Sequence, residues 1–207
     1  METKIKICGL KRSEDVQMAN RLKPDYIGFV FAHTRRHVDE ERASALRKEL
    51  STEIPAVGVF VQEDIGIISR LCESGTIQMI QLHGEEDAAY IRRVREAVPE
   101  VPIIRAVRVR SREQILEAEH LDADYLLLDT YVKGTYGGSG QEFDKSLIPK
   151  LTKPYFLAGG LTGENVCGHV KACRPYAVDV SSAVETDGVK DEIKMKEFIE
   201  RVRNYGK

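Results

Sequence analysis

The sequence predicts one α/β domain, spanning residues 1–207, folded as a closed (β/α)8 barrel of the TIM-barrel type. Three observations support this fold class. Eight short apolar segments recur along the chain, and the segments between them carry apolar residues at helical spacing. A chain of 207 residues holds eight such units with little room for insertions. The alternation of the two kinds of segment is typical of a parallel sheet covered by helices.

Most of the predicted strands are rich in Ile, Val, Leu and Phe, as strands that are buried on both faces are. The first strand differs, because polar and apolar residues alternate along it before Cys8 and Gly9. Such alternation turns one face of a strand toward a core. In chain order the strands are Lys4–Ile7, Asp25–Phe31, Ala56–Phe60, Met79–Leu82, Ile103–Val107, Tyr125–Asp129, Tyr155–Ala158 and Ala177–Val180.

A helix is predicted after each strand. Ser13 and Asp39 are residue types that cap helix N-termini, and each stands at the start of a segment with helical periodicity. The sixth helix, which begins at Asp144, is the shortest. The predicted helices are Ser13–Leu22, Asp39–Leu50, Glu63–Cys72, Glu86–Ala97, Ser111–His120, Asp144–Leu151, Gly163–Ala172 and Lys190–Tyr205.

An open, doubly wound sheet is the main alternative fold. At this chain length it usually has fewer than eight strands, and its dinucleotide-binding form carries a GxGxxG motif after the first strand. The sequence that follows Ile7 contains no such motif. We therefore expect the closed barrel and no cofactor.

The composition, with 42% hydrophobic and 31% charged residues, is that of a globular protein in water. The net charge of −2 gives no global reason to bind nucleic acid or an anionic membrane. No apolar run approaches the roughly 18 residues of a membrane span, and the charged N-terminus argues against a signal peptide. The four cysteines lack zinc-type spacing, so we expect reduced thiols and a cytoplasmic location.

Candidate catalytic residues are sought where barrel strands end, because catalysis in this fold takes place at the carboxyl ends of the strands. Cys8 follows the first strand and is either an inert buried residue or a base. Gly9 beside it lets a ligand approach the backbone closely. Asp129 ends an apolar strand, where a carboxyl is costly unless it is paired or protonated. It is therefore either a cap for the next turn or a general acid.

Glycines and serines after the last three strands predict a phosphate site. In barrels a phosphate is often held by the loops after strands seven and eight and by a short helix. The alternative is that these are ordinary turn residues. The residues are Gly138, Ser139, Gly140, Gly159, Gly160, Ser181 and Ser182.

Two further side chains follow strands at the same end of the barrel. Arg36 either lies on a solvated basic face or grips a carboxylate through its planar guanidinium group. His83 is either a satisfied hydrogen-bonding residue or a ligand contact. No group of His, Cys, Asp and Glu residues has the spacing of metal ligands, so no metal site is expected.

An ordered set of segments resembles the phosphoribosylanthranilate isomerase family. Each segment is weak evidence alone, but their order across nearly the whole chain is specific. The segments are Lys6–Gly9, Gly28–Phe31, Arg36, Gly58–Val61, Gln81–Glu85, Leu127–Thr130, Gly137–Gly140 with Phe143 and Asp144, Ala158–Leu161 with Glu164–Val166, and Val178–Ser182.

The resemblance implies a barrel enzyme of tryptophan biosynthesis. It would isomerise N-(5-phosphoribosyl)anthranilate to the 1-deoxyribulose form by acid–base catalysis, without metal or redox cofactor. In this family pattern Asp129 matches the general acid and Cys8 the general base. Arg36 faces the anthranilate carboxylate, with His83 near the same ring, and Asp179 is a pocket carboxylate near the sugar hydroxyls. The glycine and serine loops match the phosphate grip.

Two other functions stay open at this point. One is a related phosphosugar isomerase of histidine biosynthesis, although such enzymes use an Asp on the first strand, where this chain has Cys8. The other is a catalytically silent phosphosugar-binding barrel, which would need neither Cys8 nor Asp129. The sequence does not decide between a monomer and a homodimer.

Two positions depart from the family pattern. Ala183 stands where the family usually has Gly, in the loop after the eighth strand. Alanine is costly there if the position needs a positive φ and harmless if it lies in a short helix. The second departure is His33–Arg35, immediately before Arg36, where many members have a Ser followed by Pro or Lys. Neither change touches the proposed acid or base.

Overall fold

The computed structural model describes residues 2–129 and 147–205. Eight parallel strands pair in chain order, and the eighth pairs with the first, so the sheet closes into a barrel. The predicted (β/α)8 fold class is confirmed. The barrel strands are β1 (Lys4–Cys8), β2 (Tyr26–Val30), β3 (Ala56–Phe60), β4 (Met79–Leu82), β5 (Ile103–Arg108), β6 (Tyr125–Asp129), β7 (Tyr155–Ala158) and β8 (Ala177–Val180).

Seven of the predicted helices are present in the part of the chain that the structure describes, with ends shifted by up to three residues. Where the prediction began on the capping residue, the helix itself begins one residue later, as after Asp39 and Ser111. The helices are α1 (Ser13–Leu22), α2 (Glu40–Glu49), α3 (Ile65–Glu73), α4 (Ala88–Ala97), α5 (Arg112–Glu119), α6 (Val166–Cys173) and α7 (Glu192–Arg203).

The remaining predicted helix, Asp144–Leu151, is described only from Leu147, which is in 3-10 conformation. Residues 144–146 lie outside the described residues, and residues 148–151 form no helix. Pro149 explains this, because proline lacks the N–H that an interior helix position donates and disfavours helical backbone at the residue before it.

The bounds of α1 are as predicted, but its N-terminal cap differs from the prediction. The capping residue is Arg12, not Ser13, whose hydroxyl instead donates to Glu49. Asp15 makes the cap, because its Oδ2 accepts from the backbone N–H groups of Lys11 at 3.0 Å and Arg12 at 3.1 Å. A carboxylate in the first turn also complements the positive end of the helix dipole.

The apolar core has two layers, one between the strands and the helices and one inside the barrel. Side chains alternate between the two along each strand. On β1, Ile5 and Ile7 belong to the outer layer, while Lys6 is fully buried on the opposite face. The inner layer is closed by large residues of other strands, among them Met79, Ile104, Leu127 and Phe156.

A small structure that the sequence did not predict follows β8. Ser182–Val184 form a 3-10 helix, and an antiparallel hairpin follows, made of β9 (Glu185–Thr186) and β10 (Val189–Lys190). Its turn residues, Asp187 and Gly188, have φ of 52° and 78°, as an Asp-Gly hairpin turn requires. The last predicted helix therefore starts at Glu192 rather than Lys190. None of the described helices is long and apolar enough to cross a membrane.

Candidate active site

The predicted catalytic residues lie at the end of the barrel where the carboxyl ends of the strands meet. Cys8 ends β1, and Asp129 ends β6. Going around the barrel, β7 and β8 separate these strands on one side and β2 to β5 on the other. A ligand in the mouth of the barrel would therefore have one of these residues on each side. The same end carries Arg36, His83, Gly159, Gly160, Asp179, Ser181 and Ser182.

The thiol of Cys8 is held tightly in the wall of this mouth. The residue is 8% exposed and contacts Val30 and Val59. A Cβ at Gly28, on the neighbouring strand, would lie only 2.7 Å from Cys8 Sγ, so glycine is needed to make room. Ser181 Oγ donates to the carbonyl oxygen of Cys8 at 3.0 Å and ties the end of β1 to the loop after β8.

A buried cation lies beside this thiol. Lys6 is fully buried two residues before Cys8, and its Nζ lies 3.0 Å from Asp179 Oδ1. Burial acts to lower the pKa of Lys6, but the negative charge and hydrogen bond of Asp179 act in the opposite direction, and the net direction is upward. Lys6 therefore stays charged. Asp179 was expected near sugar hydroxyls, and the structure shows that it also neutralises this ammonium group.

The thiol is uncharged in the free protein at neutral pH. Burial raises the pKa of Cys8 above its ordinary value of 9.0, and the carboxylate of Asp179 adds to this rise. The ammonium groups of Lys6 and Lys190 act in the opposite direction. These two cations are the groups that favour the thiolate, the form in which a cysteine can accept a proton.

His83 connects the barrel interior to Asp129. Gln81 Nε2 lies 2.8 Å from His83 Nδ1, and the other ring nitrogen, Nε2, faces Asp129. That nitrogen lies 3.6 Å from Asp129 Oδ2. Gln81 is 1% exposed, and its Oε1 has no partner among the described residues. We did not predict Gln81 as a site residue, although a Gln in the apolar strand Met79–Leu82 was a signal.

Arg36 makes an ion pair that the sequence did not reveal. Its Nε and Nη2 donate to Glu185 Oε1 and Oε2 at 2.7 and 2.9 Å. The side chain of Arg36 is 19% exposed. Its stem crosses Gly9, where a Cβ would lie 2.4 Å from Arg36 Cδ. The guanidinium group is therefore partly buried beside the loop that follows Cys8.

Glu185 is the centre of a cluster of cations. Besides Arg36, it accepts from Lys190 Nζ at 2.8 Å and from Arg35 Nη2 at 3.1 Å. Burial acts to raise the pKa of Glu185, but the hydrogen bonds and charges of Arg36 and Lys190 outweigh it and lower that pKa to about 2. Lys190 also donates to the carbonyl oxygen of Ser181, so the cluster reaches the predicted phosphate loop.

The predicted phosphate residues are only partly described. Gly159 and Gly160 follow β7 with φ of 88° and 65°, a backbone conformation that glycine adopts at little cost. Ser182 opens the 3-10 helix after β8. Ala183 lies inside this helix and is not among the residues with positive φ, so the absence of Gly is harmless there. The other three residues, Gly138, Ser139 and Gly140, lie outside the described residues.

The described side chains at this end suit proton transfer on an anionic ligand. They include a carboxyl group and a thiol on separate strands, an ammonium group beside the thiol, and a guanidinium group that pairs with Glu185 by one edge. Within residues 2–129 and 147–205, no three His, Cys, Asp or Glu residues are grouped so that they could hold a metal ion.

Comparison with known proteins points to one family. Residues 5–201 match the family model described as N-(5'phosphoribosyl)anthranilate (PRA) isomerase. An N-(5'-phosphoribosyl)anthranilate isomerase from Lachnoclostridium phytofermentans is 51% identical over 209 aligned positions, covering 95% of each chain.

Solved structures agree with the sequence comparison. The phosphoribosyl anthranilate isomerase of Thermotoga maritima is similar with a TM-score of 0.82 and 34% identity, over 97% of this chain and 98% of that one. A second similar structure is an isomerase in complex with reduced 1-(o-carboxyphenylamino)-1-deoxyribulose 5-phosphate. It has a TM-score of 0.79 and 31% identity over 97% and 98% of the two chains.

Proposed function

Since the chain belongs to the N-(5'-phosphoribosyl)anthranilate isomerase family, we propose that Cys8 and Asp129 are the base and the acid of its reaction. The chain is an isomerase of tryptophan biosynthesis. Its substrate is an aminoaldose phosphate, and its product is the corresponding 1-amino-1-deoxyketose phosphate. The observation that carries the residue assignment is the placement of Cys8 and Asp129 on separate strands of one barrel mouth, with the Lys6 ammonium beside the thiol.

The reaction requires two proton transfers at different atoms of the sugar. Asp129 donates a proton to the furanose ring oxygen, the bond from that oxygen to C1 breaks, and an iminium forms between C1 and the anthranilate nitrogen. Cys8, as a thiolate, then removes the proton from C2, which gives an enolamine. Tautomerisation of the enolamine returns a proton to C1 and leaves the C2 ketone. No net oxidant is consumed, since C1 is reduced as C2 is oxidised.

The cations near Cys8 support its role as the base. A thiol that burial keeps protonated needs a nearby positive charge to ionise. Lys6 and Lys190 supply this charge, and Asp179 keeps Lys6 in place from the far side. His83 lies next to the carboxyl group of Asp129. This position suits a role in proton transfer to or from that carboxyl group.

The two charged ends of the substrate have separate candidate partners at the mouth. We assign the anthranilate carboxylate to Arg36 and the phosphate to the glycine and serine loops after β6, β7 and β8. The positive φ of Gly159 and Gly160 supports the phosphate assignment, because such turns expose backbone N–H groups to an anion. Asp179 is assigned to the sugar hydroxyls.

We also propose that the enzyme acts in the cytoplasm, as a monomer or a homodimer. The four cysteines are free thiols in the structure, which suits a reducing compartment. The isomerase of Thermotoga maritima has been described as dimeric, which makes the homodimer worth testing by sedimentation.

The test of the catalytic assignment uses Cys8→Ser and Asp129→Asn. Each should lower kcat by roughly 10²- to 10⁴-fold, the range typical of a lost general acid or base, while the far-UV circular dichroism stays unchanged. The loss of fluorescence of phosphoribosylanthranilate, made in situ, measures the rate. Cys72→Ser, in helix α3, is the matched control and should keep full activity.

Three results would count against parts of this assignment. A Cys8→Ser enzyme with near-normal turnover would show that another group removes the C2 proton. An Asp129→Asn enzyme with near-normal turnover would show that another group protonates the ring oxygen. Arg36→Ala should mainly raise KM, so an unchanged KM would remove Arg36 from the carboxylate site.

A further inference from the structure

Glu185 cannot be a ligand-binding group, because its carboxylate is already saturated. Oε1 accepts from Arg36 Nε and Lys190 Nζ, and Oε2 accepts from Arg36 Nη2 and Arg35 Nη2. Four acceptor positions are all that a carboxylate offers. The side chain is 4% exposed, so water does not compete for these bonds. Glu185 must therefore act through the cationic side chains that it binds.

The group that Glu185 holds most firmly is one edge of the Arg36 guanidinium. The two bonds, at 2.7 and 2.9 Å, form the bidentate pair in which both the position and the plane of the guanidinium are set. The stem of Arg36 is fixed as well, because it lies across Gly9 with no room for a side chain there. The remaining donors, both N–H groups of Nη1 and one of Nη2, make no hydrogen bond within the described residues.

One N–H of Nη1 and the remaining N–H of Nη2 form a second edge of the guanidinium group, and this edge also matches a carboxylate. We propose that Glu185 is a positioning residue that fixes Arg36 by one edge and thereby presents the other edge to the carboxylate of the substrate's aromatic ring. This inference rests on the proposed role of Arg36. It adds that selectivity for a carboxylate-bearing substrate depends on a residue that never touches it.

The charges of the cluster provide a test, because two explanations predict opposite changes in ligand affinity when Glu185 is replaced. Arg35, Arg36 and Lys190 carry three positive charges around the single negative charge of Glu185. If Glu185 acted only through its charge, then Glu185→Gln would make the site more positive and tighten the binding of any anionic ligand. If Glu185 positions Arg36, the same change weakens binding, and only for a ligand with a carboxylate.

The experiment measures the Kd of two analogues by titration calorimetry at fixed pH and salt. The first is reduced 1-(o-carboxyphenylamino)-1-deoxyribulose 5-phosphate, and the second is its phenylamino counterpart without the carboxylate. For Glu185→Gln we expect roughly tenfold weaker binding of the first and no weakening of the second. In turnover, KM should rise more than kcat falls.

Glu192→Gln is the matched control. Glu192 accepts from Nε and Nη2 of Arg21, both at 2.8 Å, in the same edge-on geometry, but on the surface and away from the site. The Glu192→Gln variant should bind both analogues with the same Kd as the wild type. Should Glu185→Gln fold poorly because Lys190 is left buried without its partner, Glu185→Gln with Lys190→Met removes both charges, and the same selective loss is expected.

Arg36→Met separates this inference from the role proposed for Arg36. If Arg36→Met does not weaken the carboxylate analogue selectively, the assignment of Arg36 fails and the inference fails with it. The alternative is that Arg36→Met weakens binding of the carboxylate analogue selectively, as the assignment of Arg36 requires. In that case the inference alone is overturned if Glu185→Gln weakens the binding of neither analogue, weakens the binding of both equally or tightens the binding of both. In an Arg36→Met background, Glu185→Gln should cause no additional selective loss.

Discussion

Lys6 and Asp179 form an ion pair inside the barrel, next to the thiol that we assign as the base. An ammonium group that is fully buried is costly unless it is paired, and Asp179 supplies the partner. Because both groups are held by adjacent strands, β1 and β8, the pair cannot move away from Cys8. The buried ammonium group of Lys6 therefore stays beside the thiol and, together with that of Lys190, favours its ionisation.

Replacing this cation should raise the pKa of Cys8 further. In Lys6→Met we expect alkylation of Cys8 by iodoacetamide to slow at neutral pH, roughly tenfold for each unit of pKa increase, because only the thiolate reacts. The pH dependence of alkylation, followed by mass spectrometry of the Cys8 peptide, measures the shift. Lys4→Met is the control, since Lys4 lies on the same strand but pairs with Asp25 at the other end of the barrel. Identical profiles for Lys6→Met and the wild type would refute this role.

At the scale of single residues, the sequence identified those site residues whose position relative to a predicted strand indicates a function. Cys8 and Asp129 could be selected because each ends an apolar strand, where catalytic residues of barrels stand. Glu185 and Gln81 could not be identified as site residues in this way. The partner of Glu185, Arg36, is 149 residues away, and only the closed fold shows that the two meet. The role of Gln81 depends on which side of β4 faces the barrel interior.

At the scale of single elements, the predicted start fell on the capping residue at Asp39 and Ser111, and one residue before it at Asp64, Asp87 and Asp191. Asp39, Asp64, Asp87 and Asp191 each accept from a backbone N–H two or three residues later. The start of α1 was predicted at the correct residue, but its cap was not, because the carboxylate of Asp15 reaches back to the preceding residues. In the sixth predicted helix, residues 148–151 are not helical for a local reason, Pro149.

This account of α1 predicts unequal effects of two neighbouring substitutions. Asp15→Ala should lower the free energy of unfolding by about 1–3 kcal/mol, because it removes two backbone hydrogen bonds and a buried pair with Arg12. Ser13→Ala should change it by no more than about 0.5 kcal/mol. Urea unfolding measures both. If Ser13→Ala proved the more costly of the two, Ser13 would be the true cap.

For the whole molecule, the regular alternation of strands and helices predicted the closed barrel, because eight parallel strands with helical crossovers have few other ways to bury their faces. The hairpin β9–β10 was missed, since its strands have two residues each and show no periodicity. That hairpin carries Glu185 and Lys190, and it joins the loops after β1, β2 and β8 through buried charges. The mouth of the barrel is thus held together largely by ion pairs, whereas the interior is packed with apolar side chains apart from the Lys6–Asp179 pair.

This division predicts how the protein responds to acid. Glu185 has a pKa of about 2 in the folded protein against an ordinary 4.5. A carboxyl whose pKa is lowered by folding stabilises the folded state above its unfolded pKa, and this contribution disappears as the pH falls through the folded value. Below about pH 2, the three cations around a neutral Glu185 also repel one another. Stability should therefore decline between about pH 4.5 and pH 2.

The difference between wild type and Glu185→Gln isolates this effect. Chemical unfolding at a series of pH values should show the variant less stable near neutral pH, where the wild-type carboxylate is charged. The difference in free energy of unfolding between the two proteins should narrow steadily below about pH 4.5. It should close near pH 2, because the wild-type side chain is then uncharged like glutamine. Glu192→Gln should show only a small gap at any pH, since exposed ion pairs contribute about 0–1 kcal/mol. A gap for Glu185→Gln that stayed constant down to pH 2 would mean that Glu185 stabilises the barrel mouth through its shape, not its charge.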